Sequence, residues 1–425
     1  MMKKYFKKVK RNRGVAMLIS VVFFLFISLA IIAGLVAPAV REFKNANVNL
    51  NSKQSYFLAE SGSEDAAYRT IKNMTIGGNT TINLNSNSAT VTITSISSSL
   101  KQIVSLGSVS SYERKTTLTL STGAGVSFNY GVQVGDGGLQ MDSNSTVNGN
   151  IYSNGNITGA SGAVVTNSAV VAGATGAISN VSVGQNGVGN AQAHTVNNST
   201  IAGTLYCQVG SGNNKSCNTS QPNPSPQNMP LSSTQITTWE NDATAGGTVG
   251  DQSISGSVSL GPKKINGNLT INGNATLTIT GTVWVTGTIS VNNGATVKLS
   301  SGYGGSSGIL MAGVAGDSTK GQIDLSNNVT LLGSGTTGSY LLVLSERNNT
   351  TNTAIGLSNN VTGAIFYAGT GVIDLSNNAA AKEVTAYKLH LNSNATVTYE
   401  SGLASSSFSS GPSGSWKVQT WKESQ

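Results

Sequence analysis

Few residues in this chain combine the types and spacings that catalysis needs. His194 and His390 are its only histidines, and they stand in unrelated contexts. No Ser/His/Asp arrangement, HExxH, Walker loop or Cys/His metal pattern accompanies them. Enzymes that cleave glycans on stacked strands need carboxylates or basic residues clustered along one face. Asp324 and Asp374 recur in related sequence contexts but form an isolated pair, which reads as corner residues. The chain is therefore read as a non-enzyme with no cofactor and no metal site. Two features carry chemistry of another kind. Cys207 and Cys217, the only cysteines, bracket the short run QVGSGNNKS, and an exported chain meets an oxidising environment that would join them. Closing so short a loop contributes roughly 3 kcal/mol on the chain-entropy account. Trp284 lies between Val283 and Val285. If the valines point inward the indole points outward, placed either to stack on a sugar ring or to sit beneath a short helix over 231–243. That helix has Ser232 or Ser233 as N-cap before Ile236 and Trp239, and follows a loop marked by Pro222, Pro224, Pro226 and Pro230.

The charge is not where a nucleic-acid binder would carry it. The 425 residues hold 25 Lys+Arg against 17 Asp+Glu, a formal net charge of +8. Lys3, Lys4, Lys7, Lys8, Lys10, Arg11 and Arg13 supply seven of these charges in the first fourteen residues. Removing them leaves 18 basic against 17 acidic residues, a net of +1 over 15–425. No basic stripe remains, and no nucleic-acid contact is expected. Charged residues are only 10% of the chain, against about 25% in an ordinary soluble domain.

Residues 15–40 follow the basic leader without a single charge. At about 1.5 Å per residue they make a helix of roughly 39 Å, enough to cross a bilayer core of about 30 Å. The leader places the N-terminus in the cytoplasm. A conventional signal peptide has an apolar core of only about 7–15 residues, so Ala37-Pro38-Ala39 is a poor cleavage site; an uncleaved anchor is the plainer alternative. Gly14 sits at the junction, where a protease on the cytoplasmic side would remove the leader and spare the helix. Residues 41–74 remain helix-compatible, with Gly62 the one strong breaker, and Pro38 predicts a kink.

The leader ending in Arg13-Gly14, the apolar run from Val15 and the stretch AESGSEDAAYR at 59–69 resemble type IV pilin-like proteins, specifically the PilX-type minor pilins. The resemblance implies cleavage after Gly14 by a prepilin peptidase and N-methylation of Val15. It also implies packing of the apolar half-helix against other pilins after release from the inner membrane. One departure stands out. Pilins of this kind carry Glu as the fifth residue after the cleavage site, where it pairs with a neighbour's charged N-terminus; here that residue is Ile19. A subunit lacking the Glu suits the filament tip, like the tip pseudopilin of type II secretion systems, because an unpaired buried charge is costly.

Beyond the helix the pattern is strand-like. Residues 80–121 alternate in four runs with Ser/Gly/Asn connectors, which predicts a four-stranded antiparallel sheet. From about 127 repeats appear. NGNLTINGNATLTITGTVWV at 266–285 aligns with 286–305 at an offset of 20, matching Leu269 with Ile289, Ile271 with Val291, Leu277 with Val297 and Ile279 with Leu299. Ile323-Asp324-Leu325-Ser326-Asn327-Asn328 returns at 355–360 and 373–378, and more loosely at 389–394. This predicts stacked coils with Ile, Leu and Val inside, Asn and Gly at the corners and Asn-Asn amide ladders between coils. About ten coils at roughly 4.8 Å would make a rod of about 50 Å.

The expected architecture is thus α+β. It comprises a leader 1–14, a transmembrane or filament-core helix 15–40 and a pilin-like helix continuation with a small sheet over 41–121. A right-handed parallel β-helix (solenoid) follows over 127–405, with an inserted loop and helix over 207–250, and then a C-terminal cap over 406–425 containing Trp416, Val418 and Trp421. The expected function is a membrane-inserted minor pilin of a type IV-like pilus or pseudopilus, displaying its solenoid at or near the tip for assembly and adhesion to surface glycans. The competing readings are a surface-anchored polysaccharide-binding or polysaccharide-degrading module and a plain structural spacer.

Overall fold

The computed structural model describes residues 13–71, 74, 76–84, 87–97, 100–122, 128–185, 187–406, 408 and 416–424. The leader lysines and Arg11 lie outside them.

Helix α1 (Arg13–Ile71) runs through Pro38 as one element. Its two halves have different fates. Every residue from 14 to 50 is exposed. Further along, Ser55, Ala59, Ser63 and Ala66 are fully buried against a small antiparallel sheet. The spacing of those four residues keeps them on one face of the helix, and their small size lets the helix backbone approach the strands. Gly107 shows how closely: a Cβ there would lie 2.2 Å from the Ser55 carbonyl oxygen and 2.6 Å from the Ala59 nitrogen. Hydroxyl bonds cross this close interface, while the buried Ser105 Oγ facing Gly62 has no partner among the described residues. Ser63 and Thr116 share a hydroxyl bond of 2.6 Å, and Ser55 Oγ donates to the Tyr112 carbonyl at 2.6 Å.

The small sheet holds β1 (Asn79–Leu84), β2 (Asn87–Ser97), β3 (Leu100–Val109) and β4 (Tyr112–Thr122), all antiparallel, as the alternation predicts. It has a fifth member. The C-terminal strand Trp416–Ser424 pairs antiparallel with β4, Trp416 opposite Thr122 and Val418 opposite Leu120. This corrects the expected C-terminal cap: the chain end completes the first sheet instead of covering the repeat body. The whole body is therefore inserted between two neighbouring strands of the small sheet.

The body is a large parallel sheet in which strands from successive rungs stack. Strand Leu269–Ile271 lies under Ile289–Asn292, with Leu269 beside Ile289, and Leu277 lies beside Val297, the 20-residue register seen in the sequence. Ile323, Ile355, Ile373 and Leu389 form one continuous interior column. The Asn ladders are present. Nδ2 of Asn327, Asn359 and Asn377 donates to Oδ1 of Asn293, Asn327 and Asn359 at 2.9–3.2 Å, and Asn360 and Asn378 extend a second row from Asn328. These residues sit at positive φ, the left-handed corner conformation that Asn tolerates better than most residues.

The winding order differs from a single continuous coil. The first body strand, Val132–Met141, is not at an end. It pairs on one side with Ile151–Ser153 and Ile157–Gly159, and on the other with Ala380–Leu391, near the far end of the chain. The chain enters at the middle and stacks outward to Leu205–Tyr206 and Val209–Ser211. It then crosses to the opposite end at Thr248–Val249 and winds back until Val384 meets Val132. The segment between Ser211 and Thr248 is thus a crossover joining two ends of one stack, where a side excursion over 207–250 was expected.

That crossover is held by one outward column of side chains. Its carbonyls at Gln221, Pro222, Ser225, Gln227, Asn228 and Leu231 accept, in order, from Gln208, Gln192, Tyr152, Asn154, Gln133 and Tyr367. A proline-punctuated strap suits this arrangement, since it offers acceptors and lacks several donors. Helix α2 (Ser233–Ala245) follows, capped by Ser232, whose side chain accepts from the Gln235 amide. It lays Trp239 and Ala243 onto a second apolar core with Trp284, Met311, Leu344 and Phe408.

Candidate functional sites

The exposed half of α1 is the largest unpartnered apolar surface. Val15 is 53% and Ile19 62% exposed, and nothing lies within 4 Å of a Cβ built on Gly14. By length and composition the helix is able to cross a membrane. Gly14, Val15, Ile19 and Pro38 all fall on this half, on one uninterrupted helix.

Trp284 is not open to a ligand. It is 9% exposed, its Nε1–H donates to the Gly313 carbonyl at 2.9 Å, and the Lys264 ammonium lies 3.9 Å from its ring centroid. It does point out of the inner core, but α2 and the Lys264 stem cover that side, which is the second of the two expected placements, beneath the short helix.

Cys207 and Cys217 are bonded, and the loop between them closes one end of the stack. Asn213 Nδ2 donates to the Val196 carbonyl at 2.7 Å while its Oδ1 accepts from the Ser199 amide at 2.9 Å. Asn214 does the same with the amide and carbonyl of Ile201, at 2.8 and 3.1 Å. The two side-chain amides stand in for the next strand, which relieves the open-edge problem.

The histidines prove unequal. His194 Nδ1 meets Asn223 of the strap at 3.3 Å. His390 lies between two carboxylates, Nε2 at 2.8 Å from Asp142 and Nδ1 at 3.5 Å from Asp374. Asp374 hydrogen bonding raises the imidazole above its ordinary value; burial opposes this, and Asp142 adds to the rise. Burial alone would raise Asp142, but hydrogen bonds from His390 and Gln140 bring it below its ordinary value. Asp142 precedes the stack's outward run and His390 closes its return, so this cluster bridges the seam between the two halves of the chain. Neither this cluster nor any other group of three His, Cys, Asp or Glu side chains among the described residues is placed to hold a metal ion.

Three further acids escaped the sequence reading. Glu383 is 1% exposed, accepts from Thr385 at 2.6 Å and is pushed well above the carboxylate range by burial. Glu346 rises to about 8, through burial and the adjacent Glu240 on α2. The local signal is that Glu346 and Glu383 adjoin apolar strand runs, whereas Glu240 lies on α2 next to Trp239.

Neither a protein-family model nor a curated protein matches the sequence. Among solved structures, the crystal structure of the competence-associated pilin ComZ from Thermus thermophilus is similar at 9% sequence identity, covering 88% of this chain and 97% of that chain, with a TM-score of 0.28. A likeness that loose assigns no role to this chain.

Proposed function

We propose that this chain is a minor-pilin-like subunit of a type IV-like filament, held in the cytoplasmic membrane before assembly and displaying its body outside the cell. The observation that carries the reading is the divided helix α1. Its charge-free stretch 15–40 is exposed throughout, with no partner among the described residues, and its later half docks a small antiparallel sheet through small residues. A surface of that size and apolarity needs lipid or other helices around it. In this reading a prepilin peptidase cuts after Gly14, Val15 becomes the N-methylated first residue, and other pilins take the place of lipid. The body is a right-handed β-solenoid without enzymatic activity, presented for adhesion. Ile19 favours a position at the tip, where no neighbour's N-terminus must be neutralised.

Mass spectrometry of the mature N-terminus tests this directly. A methylated Val15 is expected, and an intact Met1 in assembled material overturns the proposal. The spacer reading makes a different prediction, a full-length chain that stays in the membrane fraction.

A further inference from the structure

A cleft of about 600 Å³ opens on the outside of the body. One wall is an outward column on successive rungs, Thr278, Lys298 and Leu332, with Lys382 further along the same line. The other wall comes from two insertions between rungs and presents Ser301 and Thr336. Three rung steps separate Lys298 from Lys382, about 14 Å at roughly 4.8 Å per step. Leu332, 46% exposed, lies between the two ammonium groups.

The two lysines are prepared differently. Lys382 is fixed: Nζ pairs with Glu400 Oε1 and stands 5.6 Å from the centroid of the Tyr340 ring. The Tyr340 hydroxyl donates to Glu400 Oε2 at 2.9 Å. Burial, then Glu400, raises Tyr340 to about 12, so it remains a donor at neutral pH. This end offers the cleft an ammonium donor for a sugar hydroxyl, with the Lys382 charge balanced by Glu400. Lys298 is exposed and has neither an ion-pair nor a hydrogen-bond partner among the described residues. It supplies an uncompensated positive charge at the other end.

We propose that this cleft binds a short acidic oligosaccharide lying along the stack axis, its carboxylate at Lys298 and a hydroxyl at Lys382. The exposed Leu332 side chain faces the apolar side of a sugar ring, and the Ser301 and Thr336 hydroxyls complete the polar contacts. A single-stranded nucleic acid fits less well. Such ligands are held by exposed aromatic platforms in a strongly basic groove, whereas Tyr340 is buried and the chain beyond its leader carries only +1. The inference deepens the adhesion part of the proposed function and rests on that reading for its setting, but binding is measurable without any filament.

The experiment is calorimetric titration of the full chain in detergent micelles with a hexamer of galacturonate, a neutral hexamer of glucose and a DNA 12-mer of thymidine. The galacturonate hexamer is expected to bind at least tenfold more tightly than the other two. Lys298→Gln is expected to weaken it about tenfold with an unchanged thermal melt, since Lys298 supports nothing in the fold. Absence of galacturonate binding, undiminished binding by Lys298→Gln, or tighter binding of thymidine overturns the inference. The N-terminal mass of the same preparation reports separately on the filament reading, so either result can fail alone.

Discussion

The seam closed by Asp142, His390 and Asp374 allows one prediction to be worked through. The perturbation is His390→Asn, which keeps a polar side chain of moderate size and removes the titratable cation. The imidazole is 22% exposed and Asp142 35%. A hydrogen bond to a charged group contributes about 1.5–3 kcal/mol when well shielded, and solvent at the more open carboxylate reduces this. A loss of about 1–2 kcal/mol is expected, concentrated where Ala380–Leu391 meets Val132–Met141. The pH dependence has a definite sign. His390 is raised above its ordinary 6.5, so its contribution is full below that pH and is lost as pH climbs through the higher folded value. Asp142 is lowered from 3.8, so its contribution is full above that pH and is lost in strong acid. The seam is therefore tightest between about pH 4 and 6.5 and loosens toward alkaline pH. Hydrogen–deuterium exchange of peptides covering the two strands, corrected for intrinsic exchange, reads this locally. The wild type should lose protection at the seam between pH 6 and 9, and the variant should be less protected throughout with a flatter profile. An unchanged profile in His390→Asn would refute the assignment of the seam to this cluster.

Other perturbations separate the remaining elements. Cys207→Ser with Cys217→Ser should cost roughly 3 kcal/mol, seen as faster amide exchange at Thr195–Asn197 and Thr200–Ile201, whose end of the stack the loop covers. Trp239→Ala should cost about 3–5 kcal/mol and lower the thermal midpoint, because Trp239 is 3% exposed on the buried face of α2. Gly107→Val should undock α1 from the small sheet, read as faster exchange over Ser55–Ser63, since even a Cβ collides with the helix backbone there. Ile19→Glu should shift the subunit from the tip toward the shaft in immunogold labelling; an unchanged position would refute the tip argument.

What could be read from the chain depended on whether the signal was local. The Leu269/Ile289 and Leu277/Val297 matches fixed neighbouring rungs because the members of each pair hold matching positions in two adjacent sequence repeats. Asn327 and Asn328 announced their corners because few other residues accept positive φ so readily. The seam was invisible for the opposite reason. Val384 beside Val132 and Leu389 beside Leu139 are apolar pairs like those of any other rung, and nothing in them names a partner some 250 residues away. The same degeneracy hid the destination of Trp416–Ser424, whose alternation suits a cap or a sheet edge equally. Trp284 was ambiguous because its outward direction follows from strand geometry, whereas its burial depends on a helix elsewhere in the chain. The Asp142–His390–Asp374 cluster required the seam before it could exist.

The entry and exit points of the body give this winding a mechanical meaning. Phe128 and Phe408, at the two mouths of the insertion, are in edge-to-face contact with ring centroids 6.0 Å apart, and Phe128 donates its amide to Leu403. At the other side of the short connections, Thr122 is paired with Trp416. Tension applied to the small sheet thus reaches the body through two neighbouring strands, both entering beside the seam. In a body wound from one end, tension on a single tether could peel rungs off one after another. Here the first two strands after one mouth are hydrogen-bonded to the last two before the other, Val132–Met141 to Ala380–Leu391 through Val132 with Val384, and Thr146–Asn148 to Thr396–Thr398 through Val147 with Val397. Pulling on both tethers therefore loads those ladders together instead of one at a time, and the seam is the element whose strength decides when the stack opens.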